Sequence, residues 1–383
     1  MTLKITRKNI YMFCLTVWIV VSVFFGRTMI GDVIGTTAIT FYSMGRILIY
    51  ALLLCVVLCG RINRNETLVL MLVSIILILS AMNSGEVVLM GVMLFVVAAK
   101  GINSEEIMQT YLNTHIAIVV TTTILAVTHV IDMNVMSRGL IQRNSFGFSH
   151  PNGFGGEILT IIVCYVTKKW GKLSNLELVV CSAIGLILLQ KADCRMASTV
   201  LILYTLCVLI IKNFYKYRVN VNLIGTVVKA IFVVLLAMTV LAIIWYSYKN
   251  MALRIIDSVL SYRLDAMHTI YEVQGIKLFG QKILDDTFVG IDNSYARVLL
   301  ISGFIPFAIL VIFSIAVCNE FTKRKELRYL LSFAAIMLSG FIENNFFRIE
   351  NNYCFLIGGT YLLSHIYTKK IYVYDKNINR EKI

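Results

Sequence analysis

Long apolar runs separated by short polar breaks fill this chain from one end to the other. Apolar residues dominate about 10–26, 38–59, 67–82, 86–99, 108–131, 153–167, 175–190, 196–211, 223–247, 293–318, 327–343 and 353–367. A helix needs roughly 20 residues to cross bilayer hydrocarbon. Most runs reach or approach that length, and the fourth, seventh and eighth are short. Little room remains between 10 and 367 for a soluble domain. The pattern predicts an all-α, polytopic integral membrane protein with about twelve transmembrane helices, in a single domain over 1–383.

Composition strengthens this reading. The 383 residues are 58% hydrophobic and 15% charged, with a mean hydropathy of +0.81. Lys and Arg in short loops mark the cytoplasmic side of a membrane. Lys4, Arg7 and Lys8 precede the first run; Arg61 and Arg64 follow the second, and Lys100 the fourth. Lys168, Lys169 and Lys172 follow the sixth, Lys212, Lys216 and Arg218 the eighth. Lys323, Arg324, Lys325 and Arg328 follow the tenth, and Lys369 and Lys370 the twelfth. All fall on one side if both termini are cytoplasmic, which requires an even number of helices. The net charge of +14 is then mostly topological and calls for no nucleic acid. No small-x-small cleavage site follows Phe25, so the first run is expected to stay as an uncleaved helix.

Seven of the nine cysteines sit in apolar runs, where cysteine behaves as a small hydrophobe. Cys194 and Cys354 lie near the outer edge and are the pair that could meet. No Cys–His cluster suggests a metal. His115, His129 and His365 are isolated and read as structural or interfacial.

Four outer segments are more polar than connections need to be: 132–152, 191–198, about 248–292, and 343–352. The first runs into Arg143-Asn-Ser-Phe-Gly-Phe-Ser-His150-Pro151-Asn152 and on to Glu157. Arg138, Arg143, Arg195, Arg254, Arg263 and Arg348 also fall on this side, against the topological bias. Arginine presents a planar fork that grips phosphate or carboxylate oxygens. These arginines could instead pair with Asp132, Asp193, Asp257, Asp265, Glu343 and Glu350, or with lipid headgroups. Taken as one helix, Met251–Ile270 places Arg254, Asp257, Ser258, Ser261, Asp265 and His268 on one polar face, as in a helix lying in the membrane interface. Arg263 then falls within the apolar side and needs an anion there. Alternatively the helix ends near Ser261 and Arg263 is exposed. Asn152 reads as a helix cap before Gly153.

Several chemistries have no motif. There is no Gly-x-x-x-x-Gly-Lys-Ser/Thr phosphate loop, no Asp-x-Asp (Asp285-Asp286 is an adjacent pair), and no Gly-x-Ser-x-Gly nucleophile turn. ATP drive, a metal-held nucleotide diphosphate and a serine hydrolase are therefore not expected, and no cofactor is implied.

At these residues the chain resembles the O-antigen ligase and polymerase superfamily. Arg138, Arg143 and Gly147-Phe-Ser-His150-Pro151-Asn152 resemble its arginine-glycine-His-Pro-Asn signature. Asp193-Cys-Arg195-x-x-Ser198 resembles its short turn before a helix. Ser261-Tyr-Arg263 with Phe279-Gly280 resembles the start of its large outer loop. Gly290-Ile-Asp292-Asn293-Ser294-Tyr295, followed by Leu299-Leu300 and Gly303, resembles its closing motif. Asp292-Asn293 stands where the ligases typically carry His-Asn, which favours the polymerase (Wzy-type) branch and removes the ligase histidine as a base.

The resemblance implies a bacterial cytoplasmic-membrane glycosyltransferase that needs no cofactor or metal. Its donor would be a growing glycan on undecaprenyl diphosphate and its acceptor a lipid-linked repeat unit, for O-antigen, capsule or exopolysaccharide. A flippase and a chain-length regulator are the expected partners besides the bilayer. Arg143, Arg195 and Arg263 are the candidates for the diphosphate, and His150 and Asp292 for base or acceptor positioning. Arg138, Asn152, Arg254, His268, Asn293, Tyr295 and Arg348 are candidate substrate contacts, and Glu157 and Glu343 are reserve bases. The alternatives are a ligase with the same donor, and a lipid-linked oligosaccharide flippase or other transporter, which should carry ionisable groups near mid-membrane and broken helices.

Overall fold

Helices make up nearly all the regular structure in the computed structural model, which describes residues 6–60, 63–214, 219–283 and 291–363. In order they are α1 (Arg7–Ile19) with a π-helical continuation (Val20–Phe25), α2 (Ile30–Ile34), α3 (Thr36–Leu58), α4 (Arg64–Ser84), α5 (Val88–Ala98) and α6 (Ser104–Val127). A two-stranded hairpin follows, β1 (Val135–Arg138) and β2 (Ile141–Asn144), paired antiparallel with Met136 opposite Arg143. Then come α7 (Pro151–Lys168), α8 (Asn175–Ala192), α9 (Arg195–Phe214), α10 (Val221–Trp245), α11 (Met251–Val259) and α12 (Arg263–Gln274). The chain closes with α13 (Ser294–Arg297), a second π-helical stretch (Val298–Ser302), α14 (Phe304–Lys323), α15 (Leu327–Gly340) and α16 (Tyr353–Leu363). Lys4, Arg61, Lys216, Arg218, Asp285, Asp286, Gly290, His365, Lys369 and Lys370 lie outside the described residues.

Among the described residues the apolar runs fall on helix, and eight helices are long and apolar enough to cross a membrane. This is an all-α membrane protein. α5, α15 and α16 are apolar but have 11, 14 and 11 described residues. At 1.5 Å per residue they fall short of about 30 Å of hydrocarbon. Outer helices carry large apolar side chains on the surface, such as Leu72 and Ile75 on α4 and Val233 and Val234 on α10. A helix apolar on all sides is suited to hydrocarbon rather than water. The interior is aromatic instead, with Tyr111, Tyr295, Phe333, Phe346 and Phe355 fully enclosed.

Local chemistry sets the ends of these helices. Asn63 and Glu66 form a capping box on α4, and Ser174 and Glu177 another on α8. α7 starts at Pro151, whose missing N–H costs nothing in the first turn. Its cap is not Asn152. His150 caps the helix, its ring Nδ1 accepting from the Asn152 N–H at 3.1 Å.

The run 293–318 is not one helix. Gly303 breaks it with φ 100° and ψ 169°, a region open essentially only to glycine. Backbone from the late loop fills the break. Phe304 N–H donates to Lys277 O (2.9 Å), Ile305 N–H to Leu278 O (3.0 Å) and Gln281 N–H to Ile301 O (2.9 Å). Irregular backbone inside a membrane is tolerated only where protein satisfies it in this way. Gly280 and Gly303 face each other closely. A Cβ on Gly280 would meet Ile301 O at 2.5 Å, and one on Gly303 would collide with Gly280 N. Gly303→Ala is therefore expected to destabilise the fold by roughly 3 kcal/mol or more. Gly153→Ala, with nothing within 4 Å of the added methyl, should not destabilise it. Thermal unfolding of the solubilised protein distinguishes the two.

The segment Met251–Ile270 is not one helix either. Ser261 and Tyr262 take φ of 61° and 60°. The chain breaks there, and Asp257 turns inward rather than joining a wet polar face. It is buried, accepting from the Leu264 N–H (2.7 Å), the Asp265 N–H (3.3 Å) and the Tyr246 hydroxyl (2.9 Å). It thus caps α12 and sets the direction of Arg263.

Candidate functional site

The four polar segments, scattered through the sequence, meet at one end of the helices with the end of the first apolar run. Ser149 N–H donates to Arg27 O (3.0 Å) and Met29 N–H to Gly147 O (2.9 Å). Arg143 on β2 donates to Ala192 O (3.1 Å), tying the hairpin to the α8–α9 turn. Asn152 Nδ2 donates to Glu343 Oε1 (2.8 Å), and Arg263 Nη2 reaches the same oxygen (2.9 Å) and Asp292 Oδ2 (2.9 Å). Between them lies a cavity of about 350 Å³, lined by Arg27, His150, Asn152, Asp292, Glu343, Asn344, Asn345, Arg348 and Asn351 among others.

Two charge clusters form its walls. In the first, Arg27 Nη2 and Arg348 Nη1 both reach Glu350 Oε1, at 2.7 and 3.4 Å. Arg27 Nη1 also donates to Asn351 Oδ1 (2.8 Å) and approaches Glu157 Oε1 (3.4 Å). Burial opposes ionisation of Glu350, but Arg27 and Arg348 outweigh it and hold its carboxyl below the ordinary value. In the second, Arg263 sits between Glu343 and Asp292. Burial pushes the Glu343 carboxyl above its ordinary value, Arg263 pulls it back, and Asp292 pushes it up again. Glu343 Oε1 carries the bonds from Asn152 and Arg263, and Oε2 accepts none from the described residues.

His150 lies beside both clusters. Burial and then Arg143 push its imidazole below the ordinary value, so it is neutral near pH 7. Its Nδ1 already accepts the Asn152 N–H. A neutral imidazole with Nδ1 as acceptor carries its proton on Nε2. The ring therefore offers the cavity a donor rather than a base.

The other candidate residues divide clearly. Arg263 is neither aimed at lipid nor simply exposed: its side chain is 17% exposed and bound to acids and to Ile342 O. Arg138, Arg143 and Arg195 gather around Asp193, at 2.9, 3.9 and 3.1 Å. Arg143 is only 4% exposed, with its donors directed to Ala192 O, Asp193 O and Asn152 Oδ1. Arg195 is 53% exposed, and none of the three lines the cavity. Arg254 is exposed, stacking on Tyr248 with its guanidinium 4.4 Å from the ring centroid. His268 Nδ1 donates to Ile243 O (2.7 Å), its Nε2 lies 3.3 Å from Glu272 Oε1, and the ring does not line the cavity. Asn293, expected to face sugar, is buried: its Oδ1 caps α13 and its Nδ2 donates to Phe341 O. Tyr295, expected to do the same, is enclosed in the core with its hydroxyl donating to Met337 O at 2.6 Å. Cys194 and Cys354 are both free thiols.

Two features were not anticipated. Arg27 lines the cavity although in sequence it is a single charge just past the first apolar run. His115 is not isolated: on α6 its Nδ1 lies 2.6 Å from Glu157 Oε2 on α7, both side chains wholly buried. Through Arg27, this pair is bonded to the cavity wall. Among known proteins, no family model, no curated protein and no solved structure matches the chain.

Proposed function

We propose that the chain is a polymerase of undecaprenyl-diphosphate-linked oligosaccharide repeat units, acting at the outer face of a bacterial cytoplasmic membrane in surface-polysaccharide synthesis. In this reading the chain crosses twelve times with both termini cytoplasmic, and the segment of about 248–292 is its large outer loop. The observation that carries the proposal is the cavity with its paired walls, arginines at one and carboxylates at the other. An acceptor sugar hydroxyl attacks the anomeric carbon of the donor. The carbon–oxygen bond to diphosphate breaks, and its electron pair leaves with the lipid diphosphate. Arg27 and Arg348 supply positive charge for that departure, in a partly dry site where such charge acts strongly. Glu343 takes the hydroxyl proton. His150 Nε2–H, Asn152 and Asn351 hold sugar oxygens. The diphosphate role given on sequence to Arg143, Arg195 and Arg263 passes in this reading to Arg27 and Arg348, because Arg143 and Arg195 bond the Asp193 turn and Arg263 is held between Glu343 and Asp292. A ligase would use the same donor wall with a different acceptor.

A flippase or other transporter remains a second reading, favoured by the buried His115–Glu157 pair and the broken helix at Gly303. Cells lacking the chain separate the two. Loss of polymerisation leaves single repeats at the cell surface, whereas loss of transport leaves none there. The proposal also predicts that His150→Asn keeps substantial activity, since asparagine caps a helix well and still offers a donor. His150→Ala should lose about 1 kcal/mol of stability with the cap and most of its activity. Chain-length ladders at matched protein levels check this.

A further inference from the structure

We propose that a second concavity, at the far end of α7 from His150, binds the phosphate headgroup of an anionic membrane lipid and takes one of its acyl chains. The 18 residues of α7 separate the two ends by about 27 Å at 1.5 Å per residue. The concavity has a volume of about 740 Å³ and lies between the α7–α8 turn and the α14–α15 turn. Lys168, Lys169 and Lys172 come from the first turn, Lys325 and Arg328 from the second. Glu105 and Glu326 are the carboxylates on the same wall, so positive charge is in surplus by three.

Basic residues at this end of a membrane helix ordinarily set orientation and point singly into water. These converge on one hollow, and their existing bonds leave charge to spare. Arg328 pairs with Glu105 (2.7 Å) and Glu326 (3.2 Å), and Lys169 with Glu177 (2.9 Å). Lys168 meets the amide oxygen of Gln109, and Lys325 that of Asn222 at 2.6 Å. Lys168, Lys172 and Lys325 have no carboxylate partner among the described residues.

An apolar pocket of about 320 Å³ adjoins it, lined by Trp170, Gly171, Leu173, Val208 and Lys212. Trp170 and Gly171 belong to both walls. Lys212 is fixed there by bonds to Leu173 O (2.5 Å) and Asn175 (2.8 Å), so its stem forms part of the wall. Tryptophan, apolar with one polar edge, suits such a boundary. A free phosphate would use only the basic hollow. A lipid uses both, and a headgroup with two phosphates best matches the surplus charge. This inference is independent of the cavity beside His150.

The test uses the full chain in neutral detergent, read by thermal unfolding and native mass spectrometry. The probes are cardiolipin, dioleoyl and dihexanoyl phosphatidylglycerol, dioleoyl phosphatidylcholine, inorganic phosphate and pyrophosphate. Cardiolipin should bind most tightly, remain as an adduct and raise Tm. Dioleoyl phosphatidylglycerol should follow, with phosphatidylcholine and the inorganic anions at least tenfold weaker. Lys168→Gln/Lys172→Gln/Lys325→Gln should keep the lipid-free Tm and bind cardiolipin at least tenfold more weakly. Lys172→Gln alone, at an exposed position, should show about a threefold loss if the triple variant folds poorly. Unchanged lipid binding in Lys172→Gln and the triple variant would overturn the proposal. So would pyrophosphate matching cardiolipin, which would indicate a soluble anion, or equal affinity for the two chain lengths of phosphatidylglycerol.

Discussion

Arg27→Ala is expected to reduce polymer formation by about a hundredfold or more, the range found when one preorganised charge-stabilising donor is removed. No other described arginine joins the cavity to both the Glu350 cluster and the α6–α7 interior. Arg27→Lys keeps the charge, but a single ammonium cannot place separate donors on Glu350 and Asn351 as the guanidinium does. It should lose at least tenfold. Arg195→Lys, on an exposed side chain outside the cavity, should lose much less, although sequence reasoning alone would give it the larger effect. Because Arg27→Ala leaves Glu157 and Glu350 short of a partner, it should also lower Tm, and activity must be compared at equal amounts of folded protein. Chain-length ladders and lipid-linked single repeats, quantified together, make that comparison.

Glu343→Gln is expected to cost about 10² to 10⁴ in rate, the usual worth of a positioned proton acceptor. The amide keeps hydrogen bonds with Asn152 and Arg263 but cannot take a proton. The pH profile carries the sign. Burial raises the Glu343 carboxyl, so the ionised form that can act as base appears at higher pH than for an ordinary glutamate. The rate should rise with pH through that raised value and then level. Its effect on stability runs the opposite way. A carboxyl raised in the folded state contributes stability at pH below its unfolded value, and that contribution is lost as pH rises through the folded one. Asp292→Asn removes a negative neighbour that pushes Glu343 up, so the rising limb should move to lower pH. A limb that stays put would remove Glu343 as the group being titrated.

Much of the helix pattern could be read directly, because twenty apolar residues in a row have few other uses. The polar segments were also legible, since arginine has no topological role on the side where they are expected. Their internal assignments were harder. Asn293 and Tyr295 have the chemistry of sugar ligands, but the same groups serve as a helix cap and a core hydroxyl, and sequence cannot tell these apart. The cap of α7 falls to His150 rather than Asn152 for a similar reason, as either ring nitrogen or amide oxygen can accept a helix N–H. His115 and Glu157 lie 42 positions apart and meet only because α6 packs on α7. Continuous hydrophobicity concealed the break at Gly303, whose cause is the approach of Gly280 from an earlier loop. The one available signal for Arg27 was that its place after the first apolar run puts it on the expected outer side with the other six arginines.

The most direct measurement is a reconstituted reaction. The purified chain in liposomes is given a synthetic undecaprenyl-diphosphate-linked repeat unit, and products are resolved by mass spectrometry. The expected product is a ladder of lipid-linked glycans of two, three and more repeats, with one undecaprenyl diphosphate released per bond formed, abolished in Glu343→Gln and Arg27→Ala. Intact single repeats that merely change leaflet, with no diphosphate released, would contradict it and leave a transporter in its place.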